Sequence, residues 1–340
     1  MALFRCKGTK KKELKYYGTA TPLSQARRYL TATHVGNYAL FGGGANSSTI
    51  FDVVDAYNTS LVRTIPTALS AGLRDLAATH VGNYALFGGG SASNGISNVV
   101  NAYDTSLVRT IPTALSEARS QLAATYVGNY ALFGGGIKGG TYFNTVDTYN
   151  TSLTRSTPAG QLTQGRSQLA ATNLFNYALF GGGYNAGTYS TVIDAYNKSL
   201  VRMTYAALPT GTRSLSATSV GNYALFGGGS SINNNTYSDV VNVYNTSLSR
   251  LTPVALSQGR TLLAATHLDK CALFGGGNAA GGVYSNVVDA YDMSLVRTAI
   301  SLSQGRTQLA ATHVGDYALF GGGYPKANIY SDVVDAYIYE

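Results

Sequence analysis

Gly-Gly-Gly begins at Gly42, Gly88, Gly134, Gly181, Gly227, Gly275 and Gly321, at steps of 46, 46, 47, 46, 48 and 46 residues. Around each triplet lies one phrase, complete from Ala77 to Gly90 as Ala-Ala-Thr-His-Val-Gly-Asn-Tyr-Ala-Leu-Phe-Gly-Gly-Gly. A fixed period of about 40–50 residues means a solenoid or a propeller, and strand-only units of this length favour the propeller. Each unit reads as four short strands. Leu76 to Val81 meets Tyr84 to Phe87 through the two-residue link Gly82-Asn83, a hairpin pattern. Val53 to Tyr57 shows the β-branched and aromatic character of a third strand, and Asn58-Thr59-Ser60 turns into a fourth, Leu61 to Thr64. Helix is disfavoured, because Gly, Thr, Val and Asn recur and no 3.6-residue periodicity survives. The 40 glycines among 340 residues, with 7 prolines and no Gly-x-y period, are turn glycines of a β protein.

The two ends complement one another. After Asp335-Ala336-Tyr337 the last unit has a third strand and no fourth, while Leu14-Lys15-Tyr16-Tyr17 stands before Pro22-Leu23-Ser24-Gln25-Ala26-Arg27, where other units carry strand four and a linker. The expectation is an all-β, seven-bladed propeller over residues 14–340, closed by an N-terminal strand that completes the last blade and preceded by a basic leader, residues 1–13.

Three features resemble the kelch family of β-propellers: the glycines after an apolar strand (Ala85-Leu86-Phe87-Gly88-Gly89), the Val53-to-Asn58 step, and Arg119 ahead of Ser120-Gln121-Leu122-Ala123. The sequence departs from the family at the tryptophan usual in the fourth strand; Leu61, Leu107, Leu153, Leu200, Leu248 and Leu295 stand in its place, and the chain has no Trp. The resemblance implies a fold more than an activity, since such propellers host enzymes and binding modules alike.

Charge and composition narrow the function classes. The net charge is +8, but residues 1–15 carry six Lys and Arg against Glu13, and the rest of the chain has 18 against 15 acids. A nucleic-acid stripe would persist across the folded domain, so no nucleic-acid partner is expected. No apolar run reaches the ~20 residues of a membrane span, and the opening residues lack a signal core; a cytoplasmic protein or a component of an assembled particle is expected. Cys6 and Cys271 read as free thiols. Three glutamates, Glu13, Glu117 and Glu340, share no repeat position, and no G-x-S-x-G, H-E-x-x-H or P-loop occurs, so no catalytic residues and no cofactor are assigned.

His34, His80, His267 and His313 share one first-strand position, filled elsewhere by Tyr126, Asn173 and Ser219. Packing between blades is the favoured reading over a metal site, because zinc needs ligands at ~2 Å while packed sheets stand ~10 Å apart. Asp55/Arg63, Asp147/Arg155, Asp194/Arg202 and Asp289/Arg297 are eight residues apart and read as cross-strand pairs rather than a phosphate belt.

Links after strands one and three barely vary, whereas the link after strand two runs eight to ten residues in Gly, Ser, Asn and Tyr. Variation on one rim of a fixed scaffold suits a ligand-reading face, although drift on tolerant loops produces the same pattern. Kelch resemblance implies that the residue after the glycines and the arginine before strand one line the mouth. The candidate ligand-binding set is Arg27, Arg119, Arg166, Arg260 and Arg306, with Tyr184, Tyr324, Ile137, Lys138 and Asn278 from the loops. Five arginines on one rim favour an acidic partner, because the planar guanidinium meets a carboxylate with two parallel hydrogen bonds. The expected function is non-enzymatic recognition of a protein or glycan by a monomeric propeller. The alternatives are a structural component of a virion or tail surface docked by its leader, and a kelch-type sugar epimerase.

Overall fold

The computed structural model describes residues 12–231 and 236–340. Repeated four-stranded antiparallel sheets, a pattern that fits a β-propeller with internal repeats, make up the chain. In the first unit Thr31–Val35, Tyr38–Gly42, Val54–Asn58 and Arg63–Thr64 pair in that order. Among the described residues seven sheets have this form, and in the last the fourth place beside Val334–Tyr339 is taken by Leu14–Thr19. Leu14 faces Tyr339 and Tyr16 faces Tyr337, so chain start and chain end share one sheet.

Side-chain size and alternation explain the layering. In Ala77–Val81, Ala77, Thr79 and Val81 are buried while Ala78 and His80 are half-buried, the period-two pattern of a strand facing two environments. The second and third strands are buried on both faces, Tyr84–Gly88 and Val100–Asp104 being mostly inaccessible. Apolar clusters form between neighbouring units: Val81, Leu86 and Val100 pack with Phe133 and Tyr149 of the next. Phe41 and Tyr57 likewise pack with Leu319, Val334 and Ala336, joining last unit to first. Within each sheet the second-strand Phe meets the third-strand Tyr edge to face, as in Phe87 and Tyr103 at 5.9 Å.

The glycine triplet has a steric cause at each position. A Cβ on Gly88 would stand 2.8 Å from the Phe133 ring of the next unit, so the first glycine lets two sheets approach. Gly89 and Gly90 have φ of +69° and +104°, which side-chain-bearing residues seldom adopt. The Gly90 amide then donates to the Arg119 carbonyl across the boundary, and the Gly323 amide donates to Arg27 from the last unit to the first.

The third turn differs from the sequence reading. Leu61 is not the first residue of strand four but a left-handed turn residue at φ 59°, and Leu107, Leu153, Leu200, Leu248 and Leu295 repeat this. Asn58 Oδ1 accepts the amides of Ser60 and Val62, which closes the turn and leaves a two-residue edge strand. Such short edges present little backbone to a second chain.

Candidate functional site

The five sequence-assigned arginines are not on the rim. Arg27, Arg119, Arg166, Arg260 and Arg306 are fully buried, each paired with a fully buried carboxylate: Asp55, Asp147, Asp194, Asp289 and Asp335. Arg27 is typical. It reaches Asp55 Oδ2 at 2.8 Å and donates to the carbonyls of Gly43 at 2.6 Å and Phe41 at 3.2 Å. A guanidinium committed this way has no face left for a ligand, so these residues are corrected from binding to structural, and the ground for an acidic ligand goes with them. Burial lowers each of the five arginine pKa values, and the paired aspartate opposes that shift. The four eight-residue Asp/Arg pairs also form, Arg155 reaching Asp147 at 2.9 Å and Arg202 reaching Asp194 at 3.3 Å, but on the same carboxylates that the buried arginines hold. Arg63 faces Tyr57 in the ladder and reaches Asp55 only at 3.7 Å.

The rim's cations stand one residue later. The Arg28 guanidinium lies 4.4 Å from the Tyr324 ring centre and 4.8 Å from that of Tyr29, and Arg213 lies 5.0 Å from Tyr184 and 4.9 Å from Tyr189. Tyr184 and Tyr324 therefore face arginines of the rim. Asn278 lines the mouth. Ile137 and Lys138 form a small loop hairpin with Thr141–Tyr142, where Ile137 is half-buried and Lys138 exposed, away from the cavity described next.

The mouth is built on a ring the sequence did not announce. Tyr29, Asp75, Gln121, Gln168, Ser214, Leu262 and Gln308 occupy one repeat position, and all have φ between 52° and 57°. The amide of each donates to the carbonyl of its counterpart in the preceding unit, from Asp75 to Tyr29 at 3.2 Å around to Tyr29 to Gln308 at 3.2 Å. A left-handed non-glycine residue costs about 1–2 kcal/mol, and each intersheet hydrogen bond offsets roughly one. Six residues of this ring, all but Gln308, line a cavity of about 440 Å³. Gln168 Nε2 donates to Gln121 Oε1 at 3.2 Å, and Ser214 Oγ donates to Gln168 Oε1 at 3.2 Å. On the wall, Asn278 Nδ2 donates to the Tyr237 hydroxyl at 3.2 Å, while Asn278 Oδ1 is buried without a donor among the described residues. Burial pushes the Asp75 carboxyl upward, against the pull of Arg74 and Arg28. The signal available in sequence was a position that varies between units while its neighbours, the buried Leu76 and its copies, stay fixed.

The histidines gather at a second ring. His267 and His313 have ring centres 4.3 Å apart, His313 and His34 4.2 Å, His34 and His80 4.1 Å, and His80 and Tyr126 4.1 Å. Asn173 Nδ2 extends the circle by donating to the Tyr126 hydroxyl at 3.0 Å. The rings are tilted by 46–50° to one another, so neighbouring units meet here through packed, inclined rings. Burial pushes the imidazoles down, to about 3 for His34, about 4 for His80 and about 2 for His313, and lowers His267 as well; neighbouring imidazoles add to the fall at the first three. No group of three or more His, Cys, Asp or Glu side chains is placed to hold a metal ion among the described residues. Cys271 is buried and its thiol is pushed up to about 11 by that burial, unsuited to nucleophilic work. Cys6 and most of the basic leader lie outside the described residues.

No helix among the described residues is long and apolar enough to cross a membrane. No protein-family model matches the sequence, and no curated protein matches it. Among solved structures, that of YjhT aligns with 83% of this chain and 99% of its own at a TM-score of 0.66 and 14% identity. A likeness at that identity speaks for the fold alone.

Proposed function

We propose that the chain is a closed, seven-bladed, kelch-like propeller that recognises a hydroxyl-rich ligand, a glycan, at its axial mouth without turning it over. Closure is supported by the pairing of Leu14–Thr19 with Val334–Tyr339 and by the circle of backbone hydrogen bonds through Tyr29 and its six counterparts. The observation that carries the functional reading is the chemistry of the mouth. Gln121, Gln168, Ser214 and Asn278 present neutral donors and acceptors around about 440 Å³, beside one acid, Asp75, and one cation, Arg213, with Tyr237 as an apolar wall. Neutral amides and hydroxyls exchange hydrogen bonds with sugar hydroxyls at little desolvation cost, and aromatic walls take the apolar face of a pyranose. The rim cations Arg28 and Arg213 are already turned onto tyrosine rings, so charge complementarity is secondary.

A glycan array probed with the whole chain, beside Gln121→Ala/Gln168→Ala, tests the reading. The expected result is binding that the double variant weakens at least about tenfold, or ~1.4 kcal/mol, with an unchanged melting temperature. Binding should persist when salt shortens the Debye length from ~10 Å to ~3 Å. Turnover of a sugar, or binding that disappears with salt, contradicts the proposal.

A further inference from the structure

Two units lack the buried ion pair, and in both the loss is double. Where the other five have Arg and Asp, the second unit has Leu73 and Asn101 and the fifth has Thr212 and Asn242. In the second unit the leucine side chain occupies the place and is fully buried. In the fifth, threonine is too short to do so. A cavity of about 300 Å³ lies there, lined by Thr212 and Asn242 and open to solvent past the exposed residues Thr210 and Asp239.

The backbone around the gap is that of an arginine-bearing unit. Thr212 donates its amide to Ser190 at 3.2 Å, as Arg260 does to Ser238 at 3.1 Å. Gly183 donates to the Thr212 carbonyl at 2.8 Å, as Gly229 does to that of Arg260 at 2.8 Å. The frame that holds a guanidinium therefore stands where no guanidinium is covalently supplied.

The acceptors can be read from the neighbouring unit. Arg260 Nη1 donates to the carbonyls of Gly276 and Val287, both at 2.7 Å, and Nη2 to that of Phe274 at 3.2 Å and to Asp289 at 2.5 Å. Arg306 repeats three of these contacts, with Val333 at 3.1 Å, Phe320 at 3.0 Å and the Asp335 carboxylate. By repeat position the fifth-unit equivalents are Gly228, Val240, Phe226 and Asn242, and all four line the cavity; Asn242 Oδ1 already accepts from Arg250 Nη1 at 3.3 Å, so the backbone carbonyls of the other three are the acceptors offered to a guest. Asn242 lacks the charge of Asp289, but the exposed Asp239 is among the residues that line the cavity.

We infer that this cavity is a guanidinium receptor, which takes an arginine side chain or a small guanidine into the place that arginine fills in five sister units. Several acceptors in a fixed array suit a planar fork with five N–H donors. An ammonium, a compact point charge, satisfies fewer of them, so lysine is the discriminating control.

Calorimetric titration of the whole chain with methylguanidinium, Gly-Arg-Gly and Gly-Lys-Gly, at matched ionic strength, tests the inference. Binding of either guanidine, at least about tenfold tighter than the lysine peptide, supports it. Equal affinity for the two guanidines assigns a free small molecule, and tighter binding of the peptide assigns a partner's arginine. Thr212→Leu copies the second unit, and Thr212→Arg/Asn242→Asp copies the other five. Each plugs the cavity and should weaken binding at least about tenfold. If both guanidines fail to bind, if lysine binds equally well, or if the plugged variants, verified as folded by circular dichroism, bind as the parent does, the receptor assignment is wrong.

Discussion

The exchange of Arg27 and Asp55 for Leu and Asn rewrites the first unit in the vocabulary the second already uses. Both groups are fully buried and 2.8 Å apart. At an effective dielectric of about 20, charges separated by about 4 Å interact by about 4 kcal/mol, the scale of what one charge loses when its partner is removed. Arg27→Leu alone strands the Asp55 carboxylate, with Ser24 N–H at 2.9 Å and the more distant Arg63 as its remaining partners. The expected cost is about 3–5 kcal/mol, and Asp55→Asn alone, which strands a guanidinium, falls in the same range. The double variant removes both charges together. Asn101 shows that asparagine keeps the structural contact, since its Oδ1 accepts the Ser70 amide at 2.9 Å just as Asp55 accepts that of Ser24. Leu73 shows that leucine fits where the arginine stem lay. The double variant should stay within about 1–2 kcal/mol of the parent, which makes the coupling between the two sites at least about 2 kcal/mol. Denaturant unfolding of the four proteins, read as midpoints at constant slope, measures this. Additive losses would refute the reasoning, because they would mean that the two units bury their charges in different frames.

The other expectations address the second ring, the tyrosine clasps and the shared sheet. The folded-state pKa values of His34, His80 and His313 lie far below the unfolded ~6.5 and that of His267 is also lowered, so the unfolded chain binds more protons and stability falls as pH drops from about 6.5 towards 4, by up to ~1.4 kcal/mol per pH unit for each of the first three imidazoles. His313→Asn, copying Asn173, should make that slope shallower by one proton when melting is followed against pH. Tyr149 donates its hydroxyl to the Thr113 carbonyl at 2.7 Å, whereas the buried Tyr196 hydroxyl has no partner among the described residues. Tyr149→Phe should therefore cost about 1 kcal/mol and Tyr196→Phe close to nothing in the same unfolding assay; equal costs would count against the clasp. Removing residues 1–19 exposes Val334–Tyr339 as an open edge, and light scattering should show more self-association than the intact chain gives; an unchanged association state with an unchanged melting temperature would count against closure through that strand.

The period of 46 to 48 residues, the hairpin link at Gly82-Asn83 and the β-branched third strands determined, without any coordinates, an all-β chain of repeated four-stranded sheets. These are local signals written seven times, so each unit corroborates the others. The pairing of Leu14–Tyr17 with the strand through Tyr337 was also legible, because a unit missing one strand and a strand missing its unit lie at opposite ends of the same chain. What the sequence left open was the direction of side chains. Arg27 and its four counterparts precede the first strand in a linker, where strand alternation assigns no face, and only the packed sheets reveal that they turn inward beneath the glycine carbonyls to meet Asp55 and its counterparts. The same holds for Gln121 and Gln168. Their left-handed backbone depends on a hydrogen bond to another unit about 46 residues away, so no local propensity encodes it. The joint loss of arginine and aspartate in the fifth unit was present in the letters throughout. That it leaves a cavity, where the second unit leaves none, depends on the volume difference between Thr212 and Leu73 inside a backbone frame held rigid by its neighbours.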